Sequence, residues 1–139
     1  MTDMKPLLYP MFAMVLLITL IGVIALTCRF KSVKDKPVRF KYYRLMQGDD
    51  VPEIITKTTR CFNNMFEVPV LFFVASTLFI SLKVESSLAL IFAWCFVGFR
   101  YAQAYIHLTY NNVIHRMLMF WFAFVCVLAM WVTLVVHQV

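Results

Sequence analysis

Four apolar blocks dominate the chain: Leu7 to Cys28, Val68 to Leu82, Ser87 to Leu108 and Met117 to Val136. About 20 apolar residues are needed to cross a hydrocarbon core roughly 30 Å thick, and three of the blocks approach that length. A lipid core offers no water to backbone N–H and C=O groups, so segments of this kind span as helices that satisfy their own hydrogen bonds. The composition agrees, because 63% hydrophobic and 14% charged residues leave too few charges for a soluble domain. The sequence therefore predicts an all-α integral membrane four-helix bundle, with helices roughly at 7–29, 51–82, 86–110 and 116–137 in a single domain over 1–139. The first block is expected to be a retained transmembrane helix rather than a signal peptide. It is long, ends without a small-x-small cleavage pattern and runs into a basic segment.

Charge sets the expected orientation. Of 13 Lys and Arg residues, nine lie between Arg29 and Arg60, while Lys5 and Lys83 mark the opposite side. By the positive-inside rule the 29–60 loop and the Tyr110 to Arg116 connection face the cytoplasm, and both termini lie outside. The net charge of +6 is then a topology signal, and the stretch RFKSVKDKPVRFKYYR is suited to anionic lipid headgroups rather than to nucleic acid. Cys28, Cys61, Cys95 and Cys126 show no paired spacing and read as structural thiols. No metal-ligand spacing or phosphate-binding loop is present, so no metal is expected.

The second block is short, and the polar stretch in front of it must complete the span. DDVPE offers Asp50 as a helix cap, Pro52 for the first turn and Glu53 as the third residue of a capping box. A helix from Val51 to Leu82 would be roughly 48 Å long at 1.5 Å per residue, with a kink expected at Pro69. The turn KVESS is short enough to force an antiparallel hairpin between the second and third helices.

That hairpin serves as a ruler. On the second helix Arg60, Asn64 and Glu67 share a face at i, i+4 and i+7, with Asn63 beside them. On the third, Arg100, Gln103 and His107 follow i, i+3 and i+7, adjoined by Tyr101 and Tyr105. Counted from the turn, Glu67 and Arg100 fall within about 3 Å of the same depth. Asn64 comes level with Tyr105, and Arg60 with Thr109 and Tyr110. An arginine at a helix centre in lipid costs about 2.5–3.5 kcal/mol, which an ion pair with Glu67 would offset, within one chain or across a subunit boundary. A bolt between helices is the plainer reading of that pair. It does not require Arg60, Asn63, Asn64, Gln103, Tyr101, Tyr105, His107 and Arg116 as well, and this excess describes a pocket for an anionic ligand at the cytoplasmic end. His107 alone reads as an interfacial histidine and His115 as a loop residue.

The pattern R-x-x-x-N-x-x-E at Arg60, Asn64 and Glu67, with RYAQAY at 100–105 on the third helix, resembles the MAPEG family, the membrane-associated proteins in eicosanoid and glutathione metabolism. The resemblance covers nearly the whole chain. It implies a homotrimer with glutathione between neighbouring subunits, and a lipophilic small-molecule substrate arriving from the bilayer. Arg60, Asn64 and Glu67 would then contact the glutathione backbone and carboxylates, Tyr101 and Tyr105 would line its thiol end, and Arg100 and Gln103 would belong to the same pocket. Arg116 is the nearest match to the family's thiolate-stabilising arginine. The position of Pro69, Gly98 in place of an arginine found in some members, and a longer YNNVIHR connection look more like the divergent bacterial branch, which implies a bacterial inner membrane. The expected function is a glutathione-binding membrane protein acting as a transferase or peroxidase. The competing expectations are a noncatalytic scaffold and a small proton-coupled transporter using Glu67.

Overall fold

A computed structural model describes residues 5–35, 44 and 51–139 of the chain. A short 3-10 turn, Lys5–Leu7, leads into α1 (Leu8–Asp35), followed by α2 (Glu53–Asn64), α3 (Val68–Ser81), α4 (Ser87–Leu108) and α5 (Val113–Gln138). Helices α2 and α3 together form one span, Glu53–Ser81, so the chain has four segments long and apolar enough to cross a membrane among the described residues. It is an integral, multi-pass membrane protein of the four-helix type expected.

Helix α1 runs six residues beyond the expected end at 29, because FKSVKD contains no breaker and places Lys34 in the last turn, near the negative end of the helix dipole. It buries a single stripe, Met14, Leu17, Ile21 and Ala25, and leaves Phe12, Leu16, Leu20 and Val23 exposed. Gly22 lets Phe62 of α2 approach closely: a Cβ there would meet the Phe62 ring at 3.2 Å. The most extensive packing joins α4 to α5, while α1 lies mainly against α2 and α3 against α5. Small residues at the contacts, Ala75, Ala89, Ala93 and Ala123, let the backbones approach. Phe72 and Phe96 fill the centre in a stacked pair with centroids 4.6 Å apart.

The second span departs from the prediction in two ways. It begins at Glu53 after Pro52, without a side-chain cap, and Asp50 of the proposed capping box lies outside the described residues. At Pro69 the helix does not merely kink but stops and restarts. Pro69 occupies the first turn of α3, where its missing N–H is no loss. Met65 and Phe66 turn back onto Phe62 and Asn63 through three-residue hydrogen bonds of 3.0 Å each, which closes α2.

Both tight connections carry a residue with positive φ, Lys83 at 53° and Asn111 at 48°. Asn111 closes α4 by donating its N–H to the Ile106 carbonyl at 2.8 Å, in a conformation asparagine tolerates better than most residues. Asn112 then caps α5, its Oδ1 accepting from the N–H groups of Ile114 at 2.9 Å and His115 at 3.2 Å. His115 and Arg116 therefore sit in the first turn of α5 rather than in a loop, and α5 starts at Val113 instead of 116. Asn112→Ala is expected to lower stability by about 1 kcal/mol. Lys83→Gly is expected to leave it unchanged or higher, because glycine accepts positive φ without a steric penalty. Thermal unfolding in a fixed detergent measures both.

Candidate functional site

Four residues of α2, Glu53, Thr56, Lys57 and Arg60, recur at i, i+3, i+4 and i+7 and so face one side. Opposite them stand His107 in the last turn of α4, Asn111 in the connection and Arg116 in the first turn of α5. Together they enclose a cavity of about 210 Å³. The hairpin ruler placed Arg60 beside residues 109 and 110, and the cavity bears that out to within two residues.

The charges in this cavity do not cancel. Among the described residues Glu53 is its one carboxylate, and it is held by Lys57 at 2.9 Å. Arg60 and Arg116 are left over. Arg116 is oriented by donating from Nη1 to Asn111 Oδ1 at 2.9 Å, and Tyr110 steadies the same connection through a 2.9 Å hydrogen bond with His115 Nδ1. Arg60 makes no hydrogen bond or ion pair with any described residue. Two guanidinium groups, each a rigid fork of donors, make the cavity a receptor for carboxylate or another oxyanion. His107 is buried and faces three cations, Lys57, Arg60 and Arg116. It is part of the cavity wall rather than an interfacial side chain.

The expected Glu67–Arg100 ion pair is not formed. Arg100 is fully buried, and both terminal nitrogens of its fork are bound to protein: Nη1 donates to Gln103 Oε1 at 2.6 Å and Nη2 to the Asn64 backbone carbonyl at 2.7 Å, while Nε is buried without a partner among the described residues. Met65 Sδ lies 3.7 Å from Nη2. The break at Met65 to Glu67 is the physical reason. It swings the Glu67 carboxylate off the face it would occupy on a continuous helix and leaves it exposed at the start of α3.

The remaining predicted site residues scatter. Asn64 is half-buried and contributes its carbonyl to Arg100, while Gln103 is buried beside the guanidinium. Tyr101 ties α4 to α1, its hydroxyl donating to the Ala13 carbonyl at 2.7 Å. Tyr105 is 66% exposed and points away from the bundle. Arg60 and Arg116 thus converge on the cavity, Arg100 and Gln103 form an interior cluster, and Asn63, Glu67 and Tyr105 lie on the outer surface. Lys57, Thr56 and Asn111 were missed, although extending the Arg60–Glu67 stripe one turn toward the N-terminus would have found the first two. Arg29, part of the basic stretch expected in the loop, lies in α1 and donates to Thr59 Oγ1 at 3.2 Å.

The model of the MAPEG family matches residues 7–136, nearly the whole chain, and the protein belongs to that family. No curated protein and no solved structure matches it. The family includes glutathione transferases and peroxidases among other members.

Titration with a small dicarboxylate such as succinate, followed by calorimetry, probes the cavity directly. Arg60→Ala is expected to weaken binding. Glu53→Gln, which releases Lys57, is expected to strengthen it by roughly fivefold, the equivalent of about 1 kcal/mol for one unit charge at close range in water.

Proposed function

We propose that this protein binds glutathione at the Arg60–Arg116 cavity and uses it on a lipophilic electrophile that enters from the bilayer, as a transferase or peroxidase. The observation that carries this reading is the pair of guanidinium groups, Arg60 and Arg116, that no described carboxylate pairs, in one cavity at the end of a MAPEG bundle. Glutathione is a tripeptide with two carboxylates, one ammonium and one thiol. The donor set suits it: Arg60 takes a carboxylate, Glu67 is a free acid for the ammonium, and Arg116 is held by Asn111 for the thiol end. When bound, glutathione supplies the sulfur nucleophile, which is reactive as the thiolate. Arg116 provides the positive charge that favours that form.

At about 210 Å³ the cavity is smaller than the roughly 300–1,000 Å³ of most small-molecule sites. It therefore receives one carboxylate end of the tripeptide with the adjoining cysteinyl thiol, and the other end lies along the outer surface past Asn63, Glu67 and Tyr105. Those polar groups are exposed within membrane-spanning helices, where contact with lipid is costly. Coverage by neighbouring copies in a homotrimer resolves both points: it shields the polar surface and closes the site. The proton-coupled transporter has less support, because Glu67 lies on the outside of the single chain rather than along a path through it.

Calorimetry of the purified protein at millimolar glutathione is expected to show binding, with Arg60→Ala weakening it by about tenfold or more, as loss of a charged hydrogen-bond partner does. Ultraviolet absorbance of the bound thiolate is expected to fall in Arg116→Ala. No binding by the wild-type protein would remove the glutathione reading.

A further inference from the structure

A buried arginine that no described carboxylate pairs in a salt bridge is an unusual object inside a membrane bundle, and its surroundings say what it does. Helix α2 ends at Asn64 in the middle of a span. Pro69 has no N–H to offer the Met65 carbonyl one turn back, and the turn at Met65 and Phe66 uses the carbonyls of Phe62 and Asn63. The carbonyls at a broken helix end must find donors when no water is available. For Asn64 that donor is Arg100 Nη2 at 2.7 Å. The second arm of the fork is fixed by Gln103, one turn further along the same helix, at 2.6 Å.

We infer that Arg100 is a positioning residue rather than a ligand contact: it caps the broken end of α2 from inside the bundle and thereby holds the Glu67 carboxylate outward, free for an ammonium group. The proposal rests on the glutathione reading for the identity of that ammonium, but the cap itself does not. Three features support it. Arg100 is fully buried, so its guanidinium does not reach the surface on which Glu67 lies. Glu67 forms no ion pair or hydrogen bond with a described side chain, and no side-chain cap on its own helix. It also stands only three residues beyond the carbonyl that Arg100 holds, within the break itself. On an unbroken helix the acid would return to the Arg60 and Asn64 face, toward the level of Arg100, where the two charges would neutralise each other. By satisfying a carbonyl instead of the acid, Arg100 keeps the two apart.

Arg100→Lys is the informative variant. It keeps the positive charge, but a single ammonium cannot reproduce the planar fork that spans Asn64 and Gln103. Its affinity is measured for glutathione and for the desamino analogue that lacks the γ-glutamyl ammonium. Positioning predicts that glutathione binding falls by about tenfold while analogue binding is unchanged. Glu67→Gln should show the same pattern, and the double variant should be no worse than either single one. Equal loss for both ligands would mean that Arg100 only supports packing, and no loss for either would mean that it positions nothing; each result overturns the proposal.

Hydrogen exchange supplies a readout that needs no ligand. Amides across 64–70 are expected to exchange faster in Arg100→Lys, with those of α5 unaffected. Unchanged exchange in the break overturns the cap. Should the wild-type protein bind neither ligand, the glutathione reading fails and the role toward an ammonium falls with it, while the exchange result still decides whether Arg100 holds the break.

Discussion

The contact between the Arg100 guanidinium and the Asn64 carbonyl is the interaction on which the rest of the site depends. Lipid punishes two things inside a span, an unpaired charge and an unpaired backbone group. Here each is the other's remedy. Pro69 and the turn before it leave a carbonyl at the end of α2, and α4 supplies a cation at the same depth to take it. Neither feature would be tolerable alone. Together they let the second span divide into α2 and α3 without opening the bundle, and the Phe72–Phe96 stack continues the packing immediately beyond the break.

The division separates the polar residues into three groups with different surroundings. Arg60 on α2 stays with Arg116 and Asn111 in a cavity at the end of the molecule. Arg100 and Gln103 are withdrawn into the interior. Glu67 and Tyr105 are presented outward at membrane depth. A single chain therefore carries a cationic receptor and an acidic surface that are adjacent but not joined. In the function proposed above, a second copy and a ligand with groups of both signs would join the two.

The four spans were legible because hydrophobic length is a property of the sequence itself. The ruler from the KVESS turn also worked for Arg60, since it measures depth and the cavity is defined by depth. It did not foresee that Glu67 and Arg100 form no ion pair, because depth says nothing about rotation. A proline in the interior of a long helix and a proline in the first turn of a new one look alike in the sequence, and only the second interpretation moves Glu67 off the shared face. The role of Arg100 was hidden for a related reason. Its main partner is a backbone carbonyl, and a carbonyl becomes available only where a helix happens to end. Lys57 and Thr56 were within reach of spacing alone, had the stripe been followed past Arg60.

The interior arginine serves the backbone, and Arg60 is the proposed contact for the ligand. A high-resolution structure of the protein in lipid with glutathione bound tests this assignment most directly. The expected result is a ligand carboxylate on Arg60, the ligand ammonium on Glu67, and Arg100 still on the Asn64 carbonyl. Arg100 in contact with the ligand or paired with Glu67, with the Asn64 carbonyl released, would contradict it.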